Sequence, residues 1–263
     1  MKRINEKGLR FFRAGLALSL ALGAATGGVA ESPAPISPGP SLQASQKLSP
    51  QDVLRAAAEN GRLTLAALRE YTYYTELTIE TLSQADTITG KYYRLTQVSF
   101  DRDGNRRERN LESTSTLPKD VYIGASSANN LVRIYQFMIT PETLLQFEFN
   151  YVGREQVDEL QTYVFDVQPK VKMADADKYQ ERYLRGRVWI DDQDLSVVKV
   201  AGEALPEQKG RRTPRFETYF QNRDKYWFPA YSSGEDRIRV DKYQTRIMVK
   251  LRFTGYKKVD SKG

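Results

Sequence analysis

The chain has 263 residues, no histidine, no cysteine and a formal net charge of +7. Without histidine there is no Ser-His-Asp or Cys-His relay and no Cys/His zinc cluster; without cysteine there is no disulfide framework, so the fold must rest on its core. Residues 1–30 hold five Lys/Arg and one Glu, which leaves only +3 for the remainder, too little to point to a nucleic-acid partner.

Lys2, Arg3, Lys7, Arg10 and Arg13 precede an apolar run, Ala14–Gly23, and then the small residues Gly28-Val29-Ala30. Basic, then apolar, then small is the order of an export signal, so residues 1–30 are expected to be cleaved before Glu31. No later stretch approaches the roughly twenty apolar residues of a membrane-spanning helix. The expectation is a protein that is periplasmic, exported and soluble. Residues 31–48, with Pro33, Pro35, Pro38 and Pro40, read as a disordered Pro/Ser-rich tether. A single domain over 49–260 falls within the usual size range.

Ser49-Pro50-Gln51-Asp52 predicts a helix start, with an apolar stripe of Val53, Leu54, Ala57, Ala58, Leu65 and Leu68 running to Glu70. Gly61 is expected to split it. Tyr71–Thr81, Gly90–Phe100 and Arg106–Thr116 read as strands, the last two joined through Asp103-Gly104, a hairpin turn. Leu131, Ile134, Tyr135 and Met138 predict a helix over Ser127–Ile139, and Thr140-Pro141-Glu142 starts a short one.

Phe147, Phe149 and Tyr151 then alternate with Glu148 and Asn150, and Tyr163, Phe165 and Val167 alternate with Thr162, Asp166 and Gln168. Period two puts each set on one face of a strand, and the polar break at Val157–Glu159 makes the pair a hairpin. Arg182–Ile190 and Leu195–Gly202 continue the meander around Asp191–Asp194. After a polar loop, Ala204–Pro214, strands are expected over Arg215–Asn222, Tyr226–Ser232, Glu235–Val240 and Tyr243–Val259.

Constellations that would carry catalysis are missing. Asp191, Asp192 and Asp194 read as a solvated turn, and there is no G-x-S-x-G, no S-x-x-K and no glycine-rich phosphate loop. Asp101–Asn105 is no calcium loop, because Gly104 falls fourth where an EF-hand needs glycine sixth. The chain therefore reads as a non-enzyme with no cofactor and no metal. Basic residues recur at Arg102, Arg106 and Arg107, at Lys209, Arg211, Arg212 and Arg215, and at Arg237, Arg239 and Lys242. They read as solvated edge and loop charge, or as a patch for anionic lipid headgroups. Sixteen Tyr, eleven Phe and two Trp leave two readings open, a core filled by its helical cover or an aromatic-lined cavity for an apolar ligand.

Three phrases together, VGREQVDELQTYVFDVQPK (152–170), GRVWIDDQDLSVVKVAGEA (186–204) and YWFPAYSSGEDRI (226–238), resemble the periplasmic lipoprotein-carrier superfamily, with its LolA/LolB-like fold. The resemblance covers roughly residues 49–256. It implies an α+β, mainly β fold: a strongly curved, unclosed antiparallel β-barrel of roughly ten strands, with two or three helices covering its concave face. It further implies a carrier or sensor that holds lipid or lipoprotein acyl chains in a hydrophobic cavity, with transient contact to membrane-anchored donor and acceptor proteins. The expected cavity wall is Phe147, Phe149, Tyr151, Tyr163, Phe165 and Val167, with Trp189 and Trp227. The family's early basic-Pro-aromatic phrase has no counterpart near Gly90–Glu112, so no latch residue is carried over. The protein is expected to be a monomer, and an envelope protein-interaction or scaffold module with a filled core is the alternative.

Overall fold

The computed structural model describes residues 48–119, 121, 125–172, 183–206, 214–240 and 243–259. The expected export signal, all of the tether but Leu48, and the loop 207–213 lie outside them. Helix α1 (Pro50–Leu68) starts where Ser49 accepts the amide of Asp52 on its Oγ at 3.2 Å, with Pro50 at the first helical position. It runs unbroken through Gly61. An ideal Cβ on Gly61 would lie 1.8 Å from the carbonyl oxygen of Ile139, so the glycine is there for close approach of two backbones and not as a breaker.

Strands β1 (Tyr71–Leu82), β2 (Ile88–Phe100) and β3 (Arg106–Ser115) follow. The β2–β3 turn is closed by Asp101, whose Oδ1 accepts the amides of Asp103 and Asn105 at 3.1 and 2.9 Å while Gly104 takes φ +76°. Helix α2 (Ala125–Ile134) is shorter than its periodicity predicts. Side chains capture the carbonyls at its end: Gln136 Nε2 donates to the oxygen of Val132 at 2.8 Å, and Thr218 Oγ1 donates to that of Tyr135 at 2.7 Å. Tyr135–Ile139 then lies in the core as irregular chain. A reciprocal capping box between Thr140 and Thr143 opens the short α3 (Pro141–Gln146).

The remaining chain is a meander of β4 (Phe147–Val157), β5 (Leu160–Pro169), β6 (Tyr183–Asp191), β7 (Val197–Leu205), β8 (Arg215–Arg223), β9 (Tyr226–Val240) and β10 (Tyr243–Lys258). Ser233-Gly234 does not divide β9 as expected. Gly234 pairs with both Phe216 and Val249, and an added Cβ would lie 2.7 Å from the oxygen of Arg215. Again the glycine serves close approach.

All ten strands form one antiparallel sheet in the order β3-β2-β1-β10-β9-β8-β7-β6-β5-β4, unclosed because β3 and β4 each have a single neighbour. Every strand but β3 sends side chains into one hydrophobic core that also takes in α1 and α2. Laid flat, ten strands at about 4.8 Å spacing would reach far beyond helices about 10 Å across, so sharing one core requires the sheet to curl around them. This is the curved, unclosed barrel with helices on its concave face that the sequence resemblance implies.

The registers give two inward rows. The first runs Phe149, Val167, Gly186, Gly202, Phe216, Gly234, Val249, Ile79 and Tyr92. Its glycines form the tightest part of the curl: an added Cβ at Gly186 would meet the oxygen of Ala201 at 2.0 Å. Into the room they leave, Tyr135 stacks on Phe216 with centroids 4.1 Å apart. The Tyr135 hydroxyl has no hydrogen-bond partner among the described residues, and burial pushes the phenol well above its ordinary range. Replacing Tyr135 by Phe is therefore expected to raise stability by about 1 kcal/mol in denaturant unfolding, since it removes an unsatisfied buried group and keeps the ring. A loss of stability would show that the hydroxyl is held.

Candidate functional site

The second inward row decides what the interior can hold. From one edge to the other it runs Tyr151, Phe165, Val188, Val200, Thr218, Ser232, Leu251, Leu77, Arg94 and Ser113. It is aromatic at the β4 end, aliphatic through most of its middle, and charged or polar at the β2–β3 end. The two hydroxyls in its middle satisfy each other, Thr218 and Ser232 lying 2.7 Å apart.

At the β4 end the rings form two adjacent clusters. Phe137 meets Phe147 edge-on at 5.2 Å, and Phe147 lies 5.9 Å from Tyr183 and 6.5 Å from Phe149. Tyr151 lies 5.4 Å from Phe165 and 6.4 Å from Tyr163. Phe147, Tyr163, Phe165 and Val167 are buried, Phe149 is half-buried, and Tyr151 is 44% exposed. Aromatic side chains thus line this face from the interior to solvent at an unpaired sheet edge. Val152 and, on α3, Leu145 are exposed near that edge, the latter at 79%.

A bulge ends the run. The register slips between Tyr151 and Gly153, which takes φ +146°, and Arg154 swings over the face of Tyr163 at 4.4 Å. The guanidinium is held there by Asp192 at 3.1 Å. Its pKa is raised, first by a hydrogen bond to Tyr163.

Six of the eight residues expected at a cavity wall therefore share one face, and two stand elsewhere. Trp189 is on the opposite, outer face, where it packs with Val164 and Val198 and donates its indole N–H to Glu155 at 2.8 Å. Trp227 is half-buried beside α1. Its N–H donates to Asp194 at 2.6 Å, and Asn60 of α1 bonds the carbonyls of Asp194 and Leu195 at 2.7 and 3.1 Å. Asn60 thus ties the first helix to the β6–β7 turn, and Trp227 ties β9 to it.

The acidic turn is solvated only in part: Asp194 is exposed and Asp192 half-buried, but Asp191 is not. Asp191 is 4% exposed, its carboxyl accepts the amides of Gln193 and Asp194 at 3.1 and 3.0 Å, and burial pushes its pKa up. Asp192 is committed to Arg154 and Asp194 to Trp227, so these carboxylates hold a turn and an anchor. Among the described residues no group of acids could hold a metal ion, and no helix is long and apolar enough to cross a membrane.

Several of the basic residues flagged by sequence are neutralised in place. Arg106 pairs with Glu108 at 2.8 Å, Arg107 with Asp101 at 2.5 Å, and Arg215 lies 3.8 Å from Glu203. Lys209, Arg211, Arg212 and Lys242 lie outside the described residues. The outer face carries a groove of about 770 Å³ over β5–β10, lined by further pairs such as Arg185–Glu203 at 2.6 Å and Arg187–Asp166 at 2.8 Å. Its charges already have partners and favour no ligand.

Periodicity did not single out the polar end of the interior. Arg94, 7% exposed, and Thr96, 3% exposed, project inward from β2 beside Tyr92 and Val98. The signal was present: in Tyr-Tyr-Arg-Leu-Thr-Gln-Val, period two places an arginine on the apolar face.

No protein-family model matches the sequence. No curated protein matches it. Among solved structures it is similar to a DUF1329 family protein from Desulfovibrio piger, with 13% identity, TM-score 0.40 and coverage of 80% of this chain and 95% of that one. It is also similar to a LolA superfamily protein from Nitrosomonas europaea, with 11% identity, TM-score 0.37 and coverage of 82% and 96%. A third similar structure is the lipoprotein LppX of Mycobacterium tuberculosis, with 10% identity, TM-score 0.30 and coverage of 81% and 100%.

Proposed function

We propose that this is a non-enzymatic, periplasmic carrier or sensor that takes the acyl chains of a lipid or lipoprotein against the concave face of its sheet. The observation that carries the reading is the aromatic surface that leads from buried Phe147 and Phe165, through half-buried Phe149, to exposed Tyr151 at an open edge. A purely structural core closes its aromatics off from water, and apolar surface left open at a mouth is what a chain-binding site presents. Binding draws on removal of the chain from water, about 0.8 kcal/mol per buried methylene. No directional chemistry is needed, in keeping with acidic turn residues that are already spent on structural bonds.

The test is native mass spectrometry of the protein purified from a bacterial periplasm, with organic extraction of whatever travels with it. A co-purifying lipid or acylated peptide is expected. A clean unliganded mass, together with no uptake of an added fluorescent fatty acid, would overturn the reading in favour of an interaction module with a filled core.

A further inference from the structure

Resting on that reading, we infer that the ligand carries an anionic head, a carboxylate or a phosphate, and that Arg94 receives it at the β2–β3 end of the interior. Arg94 is the inward residue of β2 paired across the ladder with Leu77, which is 1% exposed and in the main core. It is itself more than nine-tenths buried, and its Nε has no hydrogen-bond partner among the described residues. Arg106 also leaves one buried nitrogen, Nη2, without a partner among the described residues, but its charge is met. That arginine, on the neighbouring β3, is paired with Glu108 and donates to the Tyr73 hydroxyl at 3.0 Å and to Gln136 at 3.4 Å.

Its stem and Nε are out of water while no acid among the described residues neutralises the guanidinium, and a charge held that way without an anion is costly. A packing role alone would be filled better by leucine or methionine. Two residues along the same strand and on the same face, the Thr96 hydroxyl is also buried without a partner among the described residues. Together they present a charged fork and a hydroxyl donor in surroundings of low polarity, the combination that binds carboxylate or phosphate oxygens.

Their placement supplies the second argument. Arg94 and Tyr151 stand at opposite ends of one inward row, with mostly aliphatic side chains between. An aromatic edge and an acid-free cation on the same face of the sheet are complementary to a molecule with an apolar chain and an anionic head. Lipids and free amphiphiles both provide that chemistry.

The experiment is calorimetric titration of the full chain, at mildly alkaline pH and below micelle formation, with three twelve-carbon ligands: dodecanoate, dodecyl phosphate and the uncharged monododecanoyl glycerol. The anions are expected to bind at least about 10-fold tighter than the glyceride, as a charge-assisted hydrogen bond implies. Their relative affinity identifies the head. In Arg94→Gln the preference for anions falls to about one, and Arg94→Lys retains part of it. Equal affinity of the unaltered protein for all three, or a preference that survives in Arg94→Gln, overturns the anionic head while leaving chain binding in place. Should Arg94→Gln not fold, the unaltered protein's preference and its partial loss in Arg94→Lys decide the matter. If none of the three ligands binds, the chain-binding reading fails and this inference with it.

Discussion

Gly61→Ala is expected to destabilise the protein, although in almost any other helix the same change would help. Alanine in a helix interior is favoured over glycine by about 1 kcal/mol. Here the new methyl group would lie 1.8 Å from the Ile139 oxygen and 3.0 Å from its carbonyl carbon, both backbone atoms that cannot rotate away. Helix α1 or the Tyr135–Ile139 segment has to move. That segment is held on both sides, by Thr218 on the Tyr135 carbonyl and by the Thr140 cap that follows it. Forcing one atom into packed surroundings costs about 1–3 kcal/mol, and more where the backbone is the obstacle, so the clash outweighs propensity and leaves a net loss of about 2 kcal/mol. For a domain of this size that lowers the melting temperature by roughly 4–8 °C, measurable by circular dichroism. A rise in melting temperature would mean that the helix is not seated on Ile139.

Gly61 and Gly234 also show where the sequence is hard to read. Both sit inside long elements, and as punctuation both predicted a break. A glycine that ends an element and one that lets another backbone approach look alike in a single sequence, because the difference lies in a partner remote in the chain. Tyr163, Phe165 and Val167 fell on the face that periodicity assigned, because their polar neighbours mark the parity. Trp189 did not, because Val188-Trp189-Ile190 is an apolar run buried on both faces. Val188 and Ile190 join the main core, while the tryptophan between them covers the outer face. Where both faces of a strand are buried, alternation disappears and parity with it. The end of α2 was misjudged for another reason: the periodic apolar positions continue through Tyr135 and Met138, but the hydrogen bonds that stop the helix come from Gln136 and from Thr218, on a strand far along the chain.

Phe149→Glu is expected to abolish chain uptake while leaving the fold in place. Phe149 lies opposite Val167, at the step where the aromatic surface passes from buried Phe147 towards exposed Tyr151. Being only half-buried, a glutamate there can reach water when the site is empty, so the unliganded protein pays little. A bound chain would cover that carboxylate and strip its hydration, which costs several kcal/mol. Fluorescent fatty-acid binding should therefore weaken by about 100-fold or more, each factor of ten corresponding to 1.4 kcal/mol. The strand supplies its own control. Asn150 is the next residue, exposed and paired with Asp166 on the outer face, so Asn150→Glu adds the same charge one position away without touching the interior. Equal loss in the two variants would reflect net charge, and unchanged affinity in Phe149→Glu would remove this residue from the path of the chain. Loss confined to position 149 would place the chain on the concave side of the sheet, because neighbouring residues of a strand differ first in the face they present.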